Sequence, residues 1–314
     1  MSRTKQPAIV NITEEIRAST YLAQGRSNIR TQEQTDIVRL GNIANKTYDG
    51  ENLVTKFAQE IANFDNEWAW IKNRITTGNF DGLNVGDYIP VTCSNDVIFN
   101  ARIAGINTYK SMADPAIGNH IDFISGSLWP TVFQMNKVNI NNGLSNDNKT
   151  SWKSSNGYLY INSLAGDVPN STTSPLATES VDYTESGIYY YLPEMLKNHI
   201  VEKMLYIPER FSANSITTDD TGGVWTTIGK LWVPTEYEVM GCNIWGGVNY
   251  AVMGCVQYPI FTNTSKRLIG RANWWTITAG RGSSLTFIGV NGNGYLIYYG
   301  ASSAYRVPIC FRIA

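Results

Sequence analysis

Residues that carry chemistry are scarce in this chain. Its 314 residues include two histidines, His120 and His199, and four cysteines, Cys93, Cys242, Cys255 and Cys310. Two imidazoles on separate segments offer little to a catalytic triad or a metal site, and no HxxxH, HExxH or Gly-x-Ser-x-Gly pattern occurs. The cysteines form no CxxC pair, so they are read as reduced core thiols rather than a zinc or redox motif. Charge is scarce as well: Asp, Glu, Lys and Arg make up 16% of the chain, against the usual quarter. With 25 basic and 26 acidic residues the net charge is -1, which gives no electrostatic footprint for nucleic acid or for an anionic membrane. No apolar run of about 18 residues and no signal-peptide pattern is found, so the chain is expected to be made in a bacterial cytoplasm without membrane insertion.

Asn, Ser, Thr, Gly, Tyr and Trp fill the space that charge leaves, with 18 tyrosines and 9 tryptophans. A polar, weakly charged, aromatic surface suits contact with proteins or sugars.

The organisation follows from periodicity. Residues 1–48 are polar with scattered apolar positions, which reads as an extended arm. Phe57, Ile61, Phe64, Trp68, Ile71 and Ile75 are then spaced 4, 3, 4, 3, 4, a heptad seam that predicts a helix over 49–78. Its two destinations are self-association, with three strands favoured by the bulky Phe and Trp, or packing on its own domain. Beyond Gly78, the segments 85–93, 97–109 and 120–124 read as short strands split by turns, the spacing of an α+β or all-β domain. Residues 136–180, rich in Asn, Ser, Thr and Gly, read as mostly loop. A helix is predicted from Ser186 to Tyr206. Segments 285–290 and 295–299, joined by Asn291-Gly292-Asn293-Gly294, read as a hairpin. Arg271–Thr278 reads as a strand carrying Trp274 and Trp275. In the run 305–313, Tyr305, Val307, Ile309, Phe311 and Ile313 alternate with Arg306, Cys310 and Arg312, as in a strand with one packed face.

Several of these stretches, taken together, resemble a known family. They are Gly86-Asp87-Tyr88, Ala104-Gly105-Ile106-Asn107, Met135-Asn136, Leu192-Pro193, Leu196-Lys197, the run from Leu231-Trp232-Val233-Pro234-Thr235 to Gly241, Trp274-Trp275-Thr276, Phe287 to Gly294, and Arg306 to Ile313. Over residues 80–314 the chain resembles the domain of unknown function DUF6273, common in phage and prophage structural proteins and in surface proteins of Gram-positive bacteria. Val307 separates Arg306 from Pro308, a departure from the family's closing Arg-Pro motif. The resemblance implies an α+β, C-type lectin-like domain of short antiparallel strands with one or two helices. It further implies a virion component such as a tail fibre, baseplate, head fibre or capsid decoration protein. Residues 1–78 lie outside the resemblance; the polar arm and the helix are expected to attach the chain to other virion proteins, and the heptad seam alone predicts a homo-oligomer, with a trimer favoured. Formylglycine-generating enzymes share that fold, but their cysteine pair is not matched around Cys310, so their activity is not expected.

Candidate chemistry is therefore narrow. Glu236 and Glu238, two apart on an extended run, would share a face at about 7 Å, within the range of an inverting glycosidase. Asp219-Asp220 in a Gly- and Thr-rich loop is a weak calcium candidate. Neither motivates a catalytic assignment, and no cofactor or metal is expected. Contact chemistry remains: Trp245, Tyr250, Tyr258, Trp274, Trp275, Tyr295, Tyr298 and Tyr299 cluster among Asn, Ser and Gly. Trp245, Tyr250, Tyr298 and Tyr299 are the favoured ligand contacts, for a host-surface glycan or protein. The alternatives are a purely architectural virion protein and a polysaccharide depolymerase.

Overall fold

A computed structural model of the chain describes residues 48–110, 117–247 and 256–314. Gly50–Ala314 is one compact unit. The expected arm therefore lies, apart from Tyr48, outside the described residues.

The fold is mixed α+β, dominated by antiparallel strands. The main sheet contains β1 (Tyr88–Thr92), β2 (Ile98–Ile106) and β3 (Ile121–Ser125), the three strands expected from alternation and turns. Chain order continues with β4 (Phe133–Gln134), β5 (Ala165–Pro169), β6 (Thr178–Asp182), β7 (Ile200–Val201), β8 (Met204–Glu209), β9 (Gly222–Thr227) and β10 (Leu231–Trp232). Then come β11 (Trp274–Ala279), β12 (Thr286–Val290), β13 (Leu296–Gly300), β14 (Ala304–Tyr305) and β15 (Cys310–Ile313). The main sheet runs β1-β2-β3-β15-β10, with β7 also on β15; a second sheet runs β11-β12-β13. The pairs β14-β4, β5-β6 and β8-β9 complete the strands described.

The predicted hairpin forms. Val290 pairs with Leu296, and the connection turns on Gly294 at φ 82°, a conformation glycine adopts without Cβ strain. The 305–313 run is corrected. It divides into β14 and β15, and β15 lies between strands with all four residues buried. Arg312 therefore faces interior rather than solvent, held by Asp122 directly across the ladder.

Three further expectations are corrected, each for a local reason. The helix over 49–78 is three helices: α1 (Leu53–Lys56), α2 (Ala58–Ile61) and α3 (Glu67–Thr77). The apolar 3-4 spacing continues across residues that interrupt the backbone, because Asn66 turns its side chain to accept from the Trp68 and Ala69 amides and starts a new helix. Gly78 closes α3 at φ 68°. The seam packs on its own domain: Trp68, Ile71 and Ile75 are buried, and Phe57, Ile61 and Phe64 lie against the same core. Trp68 meets Phe123 at 5.8 Å and Phe311 at 5.9 Å, edge to face. These residues are not available to a coiled-coil partner while that packing holds, and the domain begins near Gly50 rather than after Gly78.

The helix over 186–206 is likewise replaced by α5 (Ile188–Tyr191) and α6 (Glu194–Lys197), followed by β7 and β8. Pro193 forces Leu192 to an extended ψ of 145° and breaks the chain there. Residues 136–180, expected to be loop, contain α4 (Asn156–Asn162) and the β5-β6 hairpin. Asparagine amides order this stretch where apolar side chains are few. Asn136 Nδ2 donates to the Ile140 carbonyl at 2.7 Å and its Oδ1 accepts from Asn156 N at 3.0 Å; Asn141 Nδ2 donates to the carbonyls of Ser283 and Thr286. Fully bonded amides of this kind can be buried without an unsatisfied-group penalty.

Candidate aromatic cleft

The short helix α7 (Glu236–Met240) positions the site. Thr235 and Glu238 form a reciprocal capping box at its start and Gly241 ends it at φ 79°. The extended run expected here is thus a helix, and its two carboxylates have separate internal duties. Glu238 accepts from Thr235 N at 2.7 Å and pairs with Lys203. Glu236 accepts from three successive backbone amides of the following loop: Ile244 at 2.8 Å, Trp245 at 2.6 Å and Gly246 at 2.7 Å. Both carboxylates are buried, so the shared solvent-facing pair required for glycoside hydrolysis is not formed.

Burial pushes the Glu236 carboxyl above its ordinary range, and the three amides only partly offset it. The loop is held from its other side too. Arg281 N donates to the Trp245 carbonyl at 2.9 Å, and Asn243 Nδ2 to the Gly247 carbonyl at 2.6 Å. Gly246 is required by space, since a Cβ there would lie 2.7 Å from both Glu236 Oε2 and Thr278 Cγ2.

This loop carries Trp245, a residue 41% exposed. Tyr298 supports the indole, ring centroids 5.1 Å apart. In front of it lies a cleft of about 640 Å³. One wall is Met240, Ile244 and Trp245; a second is the 3₁₀ turn and its exit, Thr264, Ser265, Arg267 and Leu268; the third is the tip of the β12-β13 hairpin, Asn293 to Leu296. Tyr295 on that tip is 69% exposed. Exposed aromatic faces beside amide and hydroxyl groups are suited to stacking on a flat ligand and bonding to its edge.

Comparison of the chain with family models, curated proteins and solved structures finds no match. The site is therefore read from its geometry alone.

Of the four favoured contacts, Trp245 lines the cleft and Tyr298 lies behind it. Tyr299 does not join them, because neighbouring residues on β13 point to opposite faces. Its ring packs on Tyr305 at 4.2 Å and Trp275 at 5.7 Å, and burial pushes its hydroxyl up to about 12. Tyr298 and Tyr299 are half-buried rather than exposed. Tyr250 lies outside the described residues, as does Cys255. The sequence reading passed over Arg267 and the Glu236 clamp. Gly246-Gly247, starting ten residues beyond Glu236, was the available sign of close backbone approach.

The other concentration of titratable groups is interior. Lys203 pairs with Glu238 and donates to Tyr258 Oη at 2.8 Å. Tyr258 in turn donates to Asp122 at 3.1 Å, and Arg312 grips Asp122 through two bonds of 2.6 and 2.9 Å. Tyr109 donates to Glu238 at 2.5 Å, and its ring lies 4.0 Å from the Lys203 ammonium. Burial works against ionised Asp122, yet the Arg312 guanidinium holds its carboxyl below the ordinary range. His120 Nε2 accepts from Tyr109 N and Nδ1 faces the Gly118 carbonyl, which fixes a neutral imidazole. None of these residues lines the cleft, and the network serves the fold.

No group of three His, Cys, Asp or Glu arranged to hold a metal occurs among the described residues. At the calcium candidate, Asp220 is bound to Arg210 at 2.8 Å. Cys93 and Cys310 are buried free thiols, whereas Cys242 is exposed rather than in the core. No helix among the described residues is long and apolar enough to cross a membrane.

Proposed function

We propose that this chain is a non-enzymatic phage virion protein whose Gly50–Ala314 unit is a C-type lectin-like, DUF6273-type display domain that binds a host-surface saccharide in the Trp245–Tyr295 cleft. The observation that carries this reading is an exposed indole held rigid from behind: three backbone amides on buried Glu236 fix the Trp245 loop before any ligand arrives. Preorganisation of that kind lowers the entropy cost of binding. The mixed α+β architecture with short antiparallel strands is compatible with the lectin-like assignment. Attachment to neighbouring virion proteins falls to residues ahead of Gly50 in this reading.

A glycan array and a host-cell binding assay with the full chain test the proposal. Binding that is lost in Trp245→Ala supports it. Absence of binding to any glycan or cell, in a protein the particle still requires, would establish the purely architectural role instead. Binding to a host protein but to no sugar would overturn the saccharide assignment.

A further inference from the structure

Among the described residues that line the cleft, Arg267 is the sole charged one. Its surroundings differ from those of the arginines buried elsewhere. Arg74, Arg210 and Arg312 each hold a carboxylate, from Glu60 at 3.0 Å, Asp220 at 2.8 Å and Asp122 at 2.6 Å. Arg267 has no carboxylate within ion-pair distance among the described residues. Its Nη2 donates to the Phe261 carbonyl at 3.2 Å, and its Nε is buried with no hydrogen-bond partner. Burial also lowers its pKa, with Cys242 opposing, the direction expected for a cation taken partly out of water. A guanidinium offers a planar fork that matches a carboxylate or phosphate, and Arg267, as a lining residue, brings a cation without a carboxylate partner among the described residues to the cleft.

We infer that the cleft takes a saccharide bearing a negatively charged group, with Arg267 as its counter-ion and the faces of Trp245 and Tyr295 stacking on the sugar rings. This rests on the saccharide-binding reading above and adds the charge of the ligand. Thr264, Ser265 and Asn293 stand at the rim to bond ring hydroxyls. The anion has two chemical sources, a carboxylate on a uronic acid or a phosphodiester in a sugar- or polyol-phosphate chain, and both present the same oxygens to the fork.

Calorimetric titration of the full chain distinguishes them. The probes are a glucuronate-containing oligosaccharide against its carboxyl-reduced counterpart, and a sugar-phosphate polymer against its dephosphorylated counterpart. The expected result is binding at least about tenfold tighter for the acidic member of one pair, weakening as salt is raised. Arg267→Met should erase that difference while retaining the wild-type thermal melt, Arg267→Lys should restore part of it, and Trp245→Ala should abolish binding of both members. Equal affinity for acidic and neutral members in the wild type overturns the inference and leaves the saccharide reading standing. Failure of every sugar to bind overturns both.

Discussion

Asp122, Lys203, Glu238 and Arg312 are all fully buried at the main sheet, and each meets an opposite charge. Arg267, at the cleft, is partly buried and meets none among the described residues. The same chemical groups thus do two things within one fold. Inside, each charge is cancelled by a partner, so that removing either leaves a buried ion uncompensated. At the cleft the cation is left open, which costs some stability and leaves bonding capacity for something outside the chain. A stable fold tolerates such a residue where function needs it.

Breaking the interior side of this contrast should give the largest effect. Asp122→Asn leaves Arg312 buried without its counter-ion and is expected to cost about 3–5 kcal/mol, read from urea denaturation. Glu236→Gln keeps one acceptor but sets an amide NH2 against backbone N–H groups. It is expected to cost about 1–3 kcal/mol, and saccharide binding should weaken with it because the Trp245 loop loses its anchor; denaturation and calorimetry on one variant check both.

Acid should separate the groups by sign. His120 is buried with its pKa lowered below 6.5, first by burial, then by Arg312 and Lys203, with Asp122 opposing. A base whose pKa is lowered in the fold stabilises fully above its unfolded pKa. That contribution is lost as pH falls from about 6.5 through the folded value. Asp122, lowered as an acid, likewise loses its contribution on acidification, further down in the carboxylate range. Glu236, raised, acts oppositely and loses its contribution as pH rises through its folded value. Melting curves across pH 4.5–7.5 should therefore flatten on the acid side of pH 6.5 in His120→Gln. The smallest effect belongs to the surface pair Lys137–Glu179: Lys137→Ala should change stability by no more than about 1 kcal/mol.

The strands were legible because alternation and Asn-Gly chemistry are local: β1, β2, β3 and the β12-β13 hairpin needed no knowledge of distant residues. The broken N-terminal helices were not, since the apolar spacing from Phe57 to Ile75 runs unbroken across Asn66 and only the side-chain cap reveals the new start. The same applies to residues 136–180, where Asn136 and Asn141 stand in for a hydrophobic face by bonding to carbonyls of distant segments. At the site, the aromatic content singled out Trp245. What a sequence of 25 basic residues cannot reveal is which of them meet a carboxylate, and Arg267 differs from the buried arginines only once the ion pairs of Arg74, Arg210 and Arg312 are seen.

The contrast between cancelled and open charge is tested most directly by the thermal melt of ligand-free Arg267→Met beside wild type. If Arg267 is kept for a ligand, deleting its charge while preserving the apolar stem leaves the melting temperature unchanged or raises it. A fall comparable to that of Asp122→Asn would show that Arg267 holds the fold together, and the cleft would then have no unused cation to offer.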